Sequence, residues 1–203
     1  RTGFNPTLRV ELSENTTLDL SYEYADHERM IDRGIPTANG APVEALKNIV
    51  FGTSDINITT LEADIFRGIL TTDLSDTSKA VFSITSSEFE KLYQNLYASG
   101  YDLASNVVTL DGYRDPTERE NLIISGNFIN ELEIGSSTHT LLVGVEKVDT
   151  DNSNHRYDSN WSTTGKDKES FNVSRPLNIA TNSAGVATSV NFNTKLKSKT
   201  TSD

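Results

Sequence analysis

The sequence predicts an all-β fold, with about six long antiparallel strands forming part of a transmembrane β-barrel. Three observations carry that expectation. Apolar and polar residues alternate with period two over long stretches, so each strand has one apolar and one polar face. Connections alternate between short and long, as in outer-membrane barrels with short periplasmic turns at one end and long extracellular loops at the other. The strands run to roughly 15 residues, against about 5–6 in most globular sheets. Alternation alone leaves one competitor open: a secreted or surface β-sandwich, an adhesion or binding module with its apolar face against a second sheet.

The strands follow in order. Leu8, Val10 and Leu12 alternate with Arg9 and Glu11, and Leu18, Leu20, Tyr22 and Tyr24 alternate with Asp19, Ser21 and Glu23. The polar connector Ser13-Glu14-Asn15-Thr16 joins them as a hairpin, with strands expected at 5–12 and 17–26. Gly34, Pro36 and Asn39-Gly40 then mark an ordered loop reaching about Asp55. A strand at 56–74 puts Phe66, Gly68, Leu70, Thr72 and Leu74 on one face, while Leu61, Ala63 and Ile65 fall on the other parity. That change implies either a bulge near Gly68 or a strand passing between environments. After the turn Ser75-Asp76-Thr77-Ser78, a strand at 79–97 carries Ala80, Phe82 and Ile84, then Tyr93 and Tyr97. A loop holding Gly100, Tyr101, Asp111-Gly112-Tyr113-Arg114 and Pro116 is expected before the strand at 118–134. The turn Gly135-Ser136-Ser137 leads to a last strand at 138–149 with Leu141, Val143 and Val145. Residues 1–149 thus read as a barrel segment, and residues 150–203, rich in Asn, Ser, Thr and Lys, as a long extracellular loop or disordered polar tail.

Parity assigns the faces beside the short turns. Arg67 lies near mid-membrane, where pointing into lipid would cost roughly 2–4 kcal/mol, so it is expected to face the lumen with Asp73, Glu131 or Glu146 as partner. Arg9, Glu11, Asp19, Glu23 and Asn127 share that parity, as do the apolar Ile69, Val81, Ile129 and Leu142, while the polar Asn130 falls on the outward one.

Composition narrows the function. No apolar run approaches the roughly 18–20 residues of a spanning helix, which excludes a helical membrane protein but not a barrel. A net charge of −11 argues against a nucleic-acid partner, because phosphate contacts need clustered Lys and Arg. With no cysteine there is neither a disulfide scaffold nor thiol catalysis. The chain opens at Arg1, without methionine or signal peptide, and is expected to be a piece of something longer.

Chemistry-bearing motifs are weak. Asp149-Thr150-Asp151-Asn152-Ser153 starts like a calcium loop, but Asn154 stands where glycine is needed and Asn160 where a bidentate glutamate belongs, so a solvated turn is the expectation. His27, His139 and His155 have no partner at ligand spacing. No serine sits in a G-x-S-x-G elbow, and the carboxylates fall at alternate strand positions, as on a polar lumen face. No enzyme activity, cofactor or protein-bound metal is expected, although a glycosidase pair of carboxylates is not excluded by sequence. The triplets Asn160-Trp161-Ser162 and Asn172-Val173-Ser174 match a glycosylation sequon that also arises by chance.

Several segments resemble the TonB-dependent outer-membrane receptors for ferric siderophores. They are Leu20-Ser21-Tyr22-Glu23-Tyr24 running into Asp32-Arg33-Gly34-Ile35-Pro36, then Asn39-Gly40, Val50-Phe51-Gly52, and His139-Thr140-Leu141-Leu142-Val143-Gly144-Val145-Glu146. Tyr93–Tyr97, the Gly112-Tyr113 stretch and a strand opening at Asn121 sit in matching order, so the resemblance covers about Thr7 to Arg156. It implies an early part of a barrel of about 22 strands, following a plug domain that these residues do not contain. It also implies a bacterial outer-membrane protein that binds a ferric siderophore and imports it through TonB, the coupling running through the plug. The siderophore cages its own iron. The ligand-binding candidates are Tyr97, Tyr101, Tyr113, Arg114 and Trp161, as a loop-borne surface contacting the siderophore. The bland reading of the same residues is an aromatic girdle or ordinary loop packing.

Overall fold

The computed structural model describes residues 1–202, with residues 194–202 given by their backbone. In chain order the strands are β1 (Thr2–Phe4), β2 (Thr7–Ser13), β3 (Thr16–Met30), β4 (Thr37–Ala38), β5 (Ala41–Pro42), β6 (Ile58–Ser75), β7 (Ser78–Asp102), β8 (Val107–Ile134), β9 (Ser137–Trp161), β10 (Glu169–Asn172) and β11 (Val190–Ser202). The main sheet is antiparallel and curled into a half-barrel, in the order β1-β3-β6-β7-β8-β9-β11. At one edge β1 and β2 share β3 as partner and are separated by Asn5-Pro6. A separate two-stranded sheet, β4–β5, lies in the loop between β3 and β6.

The expected hairpins form. Tight turns at Glu14-Asn15, Asp76-Thr77 and Gly135-Ser136 connect β2–β3, β6–β7 and β8–β9 at the same end of the sheet. Gly135 has φ of 67°, the left-handed conformation that glycine adopts without cost. The strands overrun their expected ends at the other end. Instead of a long loop through residues 100–116, β7 continues to Asp102, β8 starts at Val107, and a four-residue turn joins them. Gly112 and Pro116 are therefore strand residues: Gly112 lies against Leu96, and Pro116 lies where β8 loses its pairing to β9. The expected boundary at residue 150 is also absent. Residues 150–161 continue β9, β10 pairs with the start of β8, and β11 pairs along β9, with loops only between these strands. Residues 150–156 are polar on both faces, so backbone pairing holds them without a period-two signature, while Trp161, Phe171, Val190 and Phe192 pack at the loop-end core.

Directly opposed residues in an antiparallel sheet share a face. One row reads Val10, Leu18, Leu70, Phe82, Gly126, Val145, and a neighbouring row reads Leu8, Leu20, Gly68, Ile84, Ile124, Lys147. The rows of Ala80, Phe128 and Val143 and of Tyr22, Phe66 and Leu122 flank them. This band is open: Phe82 is 54% and Val145 75% exposed, and no second sheet covers it among the described residues. On the opposite face Arg9 pairs with Asp19 at 2.6 Å and Ser83 with Ser125 at 2.7 Å. Arg67 shares this polar face, but its partner is Glu23 at 3.7 Å rather than Asp73, Glu131 or Glu146. Glu23 is on the adjoining strand, diagonal to the Arg67–Ser21 pair, whereas Asp73 is six residues, about 20 Å, along Arg67's own strand.

Beyond Tyr22 and Phe66 the faces exchange character. Tyr24, Asp64, Glu88, Glu120 and Asp151 form the next row on the apolar face, and Asp26, Glu62, Glu90 and Glu118 the row after it. On the other parity, Ala63 is buried and Leu61 and Ile65 are half-buried. No bulge causes this, because the β3–β6 register is unbroken from Thr16–Thr72 to Met30–Ile58. The strand runs straight from one environment into another.

Near the loop end the apolar face is capped. Leu96, Val108, Leu110, Trp161 and Phe171 form a buried core with Leu46 and Phe51 of the β3–β6 loop and Leu177 of the β10–β11 loop. Asn57 anchors the first of these loops. Where β6 no longer reaches β7, the Asn57 side chain donates to the Leu96 carbonyl at 2.8 Å and accepts from the Leu96 N–H at 3.1 Å, imitating a strand neighbour.

Candidate ligand site

The polar face of β7, β8 and β9 near the loop end gathers three tyrosines and two arginines. Tyr93, Asn95 and Tyr97 alternate along β7, Asp111, Tyr113 and Asp115 along β8, and Arg156 and Asp158 on β9. The register joins them, with Tyr97 opposite Asp111, Asn95 opposite Tyr113, and Tyr113 opposite Asp158. Arg33 enters from the β3–β6 loop. Just before Gly34, Asp32 accepts the Gly34 N–H at 2.9 Å, an Asx turn that fixes the backbone beside Arg33.

Tyr113 is the centre. Its ring stacks on Tyr93 at 6.0 Å and meets Tyr97 edge-on at 6.3 Å. The guanidinium of Arg156 lies 4.2 Å from its centroid and that of Arg33 5.7 Å, while Arg33 is 4.9 Å from the Tyr97 ring. Cations over aromatic faces are drawn by the ring quadrupole. Arg33 Nη1 also donates to Asn95 Oδ1 at 3.1 Å and to the Tyr113 hydroxyl at 2.8 Å. Arg156 grips Asp115 with two bonds, at 2.8 and 2.5 Å, and this bidentate pairing raises the guanidinium pKa above its already high value. Burial, then the nearby Asp111 carboxylate, raises the Tyr97 phenol above its ordinary value, keeping it neutral. Lys168 faces Asp111 at 3.6 Å.

Of the five residues singled out from sequence, Tyr97 and Tyr113 come together here on strands rather than on a loop. Tyr101 does not join them: a bulge between Ala98 and Gly100 inverts the parity of β7, turning Tyr101 toward Val108 and the core, with its hydroxyl on Asn106 at 2.8 Å. Arg114 points to the other face, over the Tyr157 ring at 5.9 Å. Trp161 is fully buried, 5.0 Å from the Phe171 ring. The site also uses Arg33, Tyr93 and Arg156. Arg33 stands in the Asp32–Pro36 segment that resembles the receptors, and Tyr93 has the parity of Tyr97; nothing in the sequence marks Arg156.

The turn expected at Asp149–Ser153 is strand instead. Among the described residues no group of three His, Asp or Glu side chains is arranged to hold an ion. Asp149, Asp151 and Ser153 lie on extended β9, about 6.8 Å apart along one face, so they form no loop around a cation. No known family model matches the chain, and no curated protein sequence matches it.

Proposed function

We propose that this chain is part of a bacterial outer-membrane receptor that binds a ferric siderophore and imports it in a TonB-dependent manner. One observation carries the reading: an open, mostly apolar band on one face of a curled antiparallel sheet, in register across β2, β3, β6, β7, β8 and β9, interrupted by Asn130 on β8 and ending on β9 at Val145, before Lys147 and Asp149. On β8 the band runs from Leu122 to Leu132, ten positions or about 34 Å of strand, which at a tilt of about 35–45° gives about 24–28 Å of height. A barrel's lipid-facing band is about 25 Å tall. The acidic rows that follow are what the water-facing side of such a band requires, because carboxylates cannot remain in hydrocarbon. In this reading the polar face lines the interior, and the tyrosine–arginine shelf sits beyond the membrane, open to an arriving chelate. Partners are outer-membrane lipid, the siderophore, and TonB through a plug domain.

The resemblance of the Asp32–Pro36 and His139–Glu146 segments to siderophore receptors supplies the ligand class. Deleting the gene that encodes the chain should abolish growth on the cognate ferric siderophore under iron starvation. Restoring it with Tyr97→Ala and Tyr113→Ala should weaken binding while the protein still reaches the outer membrane. Each lost aromatic contact should cost about 0.5–1.5 kcal/mol beyond its buried area. Unchanged growth after gene deletion on every ferric chelate tried would reject the reading.

A further inference from the structure

We propose that Arg33 makes the tyrosine shelf select negatively charged ferric chelates built on planar aromatic ligands, the tris-catecholate type, over neutral hydroxamate chelates. The inference rests on the receptor reading and deepens it. Among the described residues three cations reach this part of the polar face, and two are matched: Arg156 by Asp115, and Lys168 by Asp111. Arg33 differs. Its only hydrogen-bond partners among the described residues are the neutral Asn95 amide and Tyr113 hydroxyl, both reached through Nη1. Among the described residues Nε and Nη2 donate to no protein group, and Arg33 is exposed. A guanidinium presents its donors in a planar fork that fits two neighbouring oxygens, the arrangement a catecholate offers.

The rings complete the match. Tyr97 and Tyr113 hold the guanidinium between them, so little rotamer freedom remains to be lost on binding. Tyr93, Tyr97 and Tyr113 offer an aromatic surface on which a ligand's rings can lie. Asp111 and Asp115 neutralise Lys168 and Arg156, so Arg33 is the cation of the three that keeps an unmatched charge on the shelf. The charged oxygens of the chelate are thereby directed to the free edge of Arg33. A neutral hydroxamate chelate gains nothing from that edge.

The test uses the full-length receptor purified in detergent, with a ferric tris-catecholate and a neutral ferric tris-hydroxamate as probes. Wild type should bind the catecholate more tightly. Arg33→Gln should weaken catecholate binding at least about tenfold, the scale of one charge-assisted hydrogen bond, and weaken hydroxamate binding much less. Arg33→Lys keeps the charge but not the fork, so it should recover only part of the loss. Strand content by circular dichroism checks that each variant folds. Equal weakening of both probes by Arg33→Gln, or wild-type preference for the hydroxamate, overturns the selectivity and leaves the receptor reading standing. Wild-type binding of neither chelate overturns the receptor reading itself.

Discussion

At Gly112 the chain has no room for a side chain. A Cβ there would lie 2.5 Å from the Asn95 carbonyl oxygen and 2.6 Å from Leu96 Cδ2. Part of that obstacle is backbone, so relief requires moving β7 away from β8 just where Asn95 meets Tyr113. Gly112→Ala should therefore destabilise by about 1–3 kcal/mol, the usual range for overpacking, and should also disturb the shelf. Thermal unfolding and chelate affinity measured on one variant would check this; an unchanged Tm would show that the strands yield freely. Gly52 makes the same demand in the β3–β6 loop, where a Cβ would collide with the Asn57 side chain that bridges to Leu96. Neither requirement is visible in sequence, where both glycines stand among turn-forming residues and read as loop.

At the scale of elements, the turn joining β7 and β8 has a titrating latch. Asp102 accepts from the Ala104 N–H at 2.9 Å and from the Ser105 hydroxyl at 2.6 Å. The Ser105 bond first, then the Ala104 bond, holds its carboxyl below the ordinary carboxylate range. A carboxylate depressed in the folded state contributes stability that is fully present above its unfolded pKa, near 4, and is lost as pH falls through the lower folded value. Asp102→Asn should thus lower Tm at neutral pH and flatten the decline of Tm below about pH 4. Identical acid limbs for the two proteins would remove the latch from the account. Strand legibility divides along the same elements. Beside the short turns each face sees one environment, and alternation located β2, β3 and the adjoining parts of β6 to β9. Farther up, carboxylates take over the apolar face and apolar residues such as Ala63 take the other, so parity alone no longer tells inside from outside. Tyr97 and Tyr113 were readable as binding candidates, but the bulge that turns Tyr101 away was not. Arg33 reaches Tyr113 from 80 positions away, a distance over which local pattern carries no information.

For the molecule as a whole, the two faces of β7 should respond oppositely to a new charge. Phe82 lies on the open apolar face, in the row of Leu70 and Gly126, and Ser83 on the polar face against Ser125. In the proposed membrane setting, Phe82→Arg should cost about 2–4 kcal/mol and reduce the amount of assembled protein, while Ser83→Arg should be tolerated. Heat-modifiable migration of outer-membrane fractions reports assembly. Equal tolerance of both substitutions would argue that the apolar band meets water or another protein rather than lipid.

Pro116 has a consequence for how this sheet would tear. Proline brings no N–H to a ladder, and the pairing between β8 and β9 skips Asp115 and Pro116. Above that gap only two rungs remain, Tyr113 with Asp158 and Arg114 with Tyr157, before the strands part toward β10 and β11. The Arg156–Asp115 clamp closes the gap with charge where backbone bonds are missing. Dissolved salt screens such a clamp far more than it weakens amide bonds. The seam is therefore perforated beside the very ring on which the shelf is built, and ionic strength rather than heat is the force that would open that corner first.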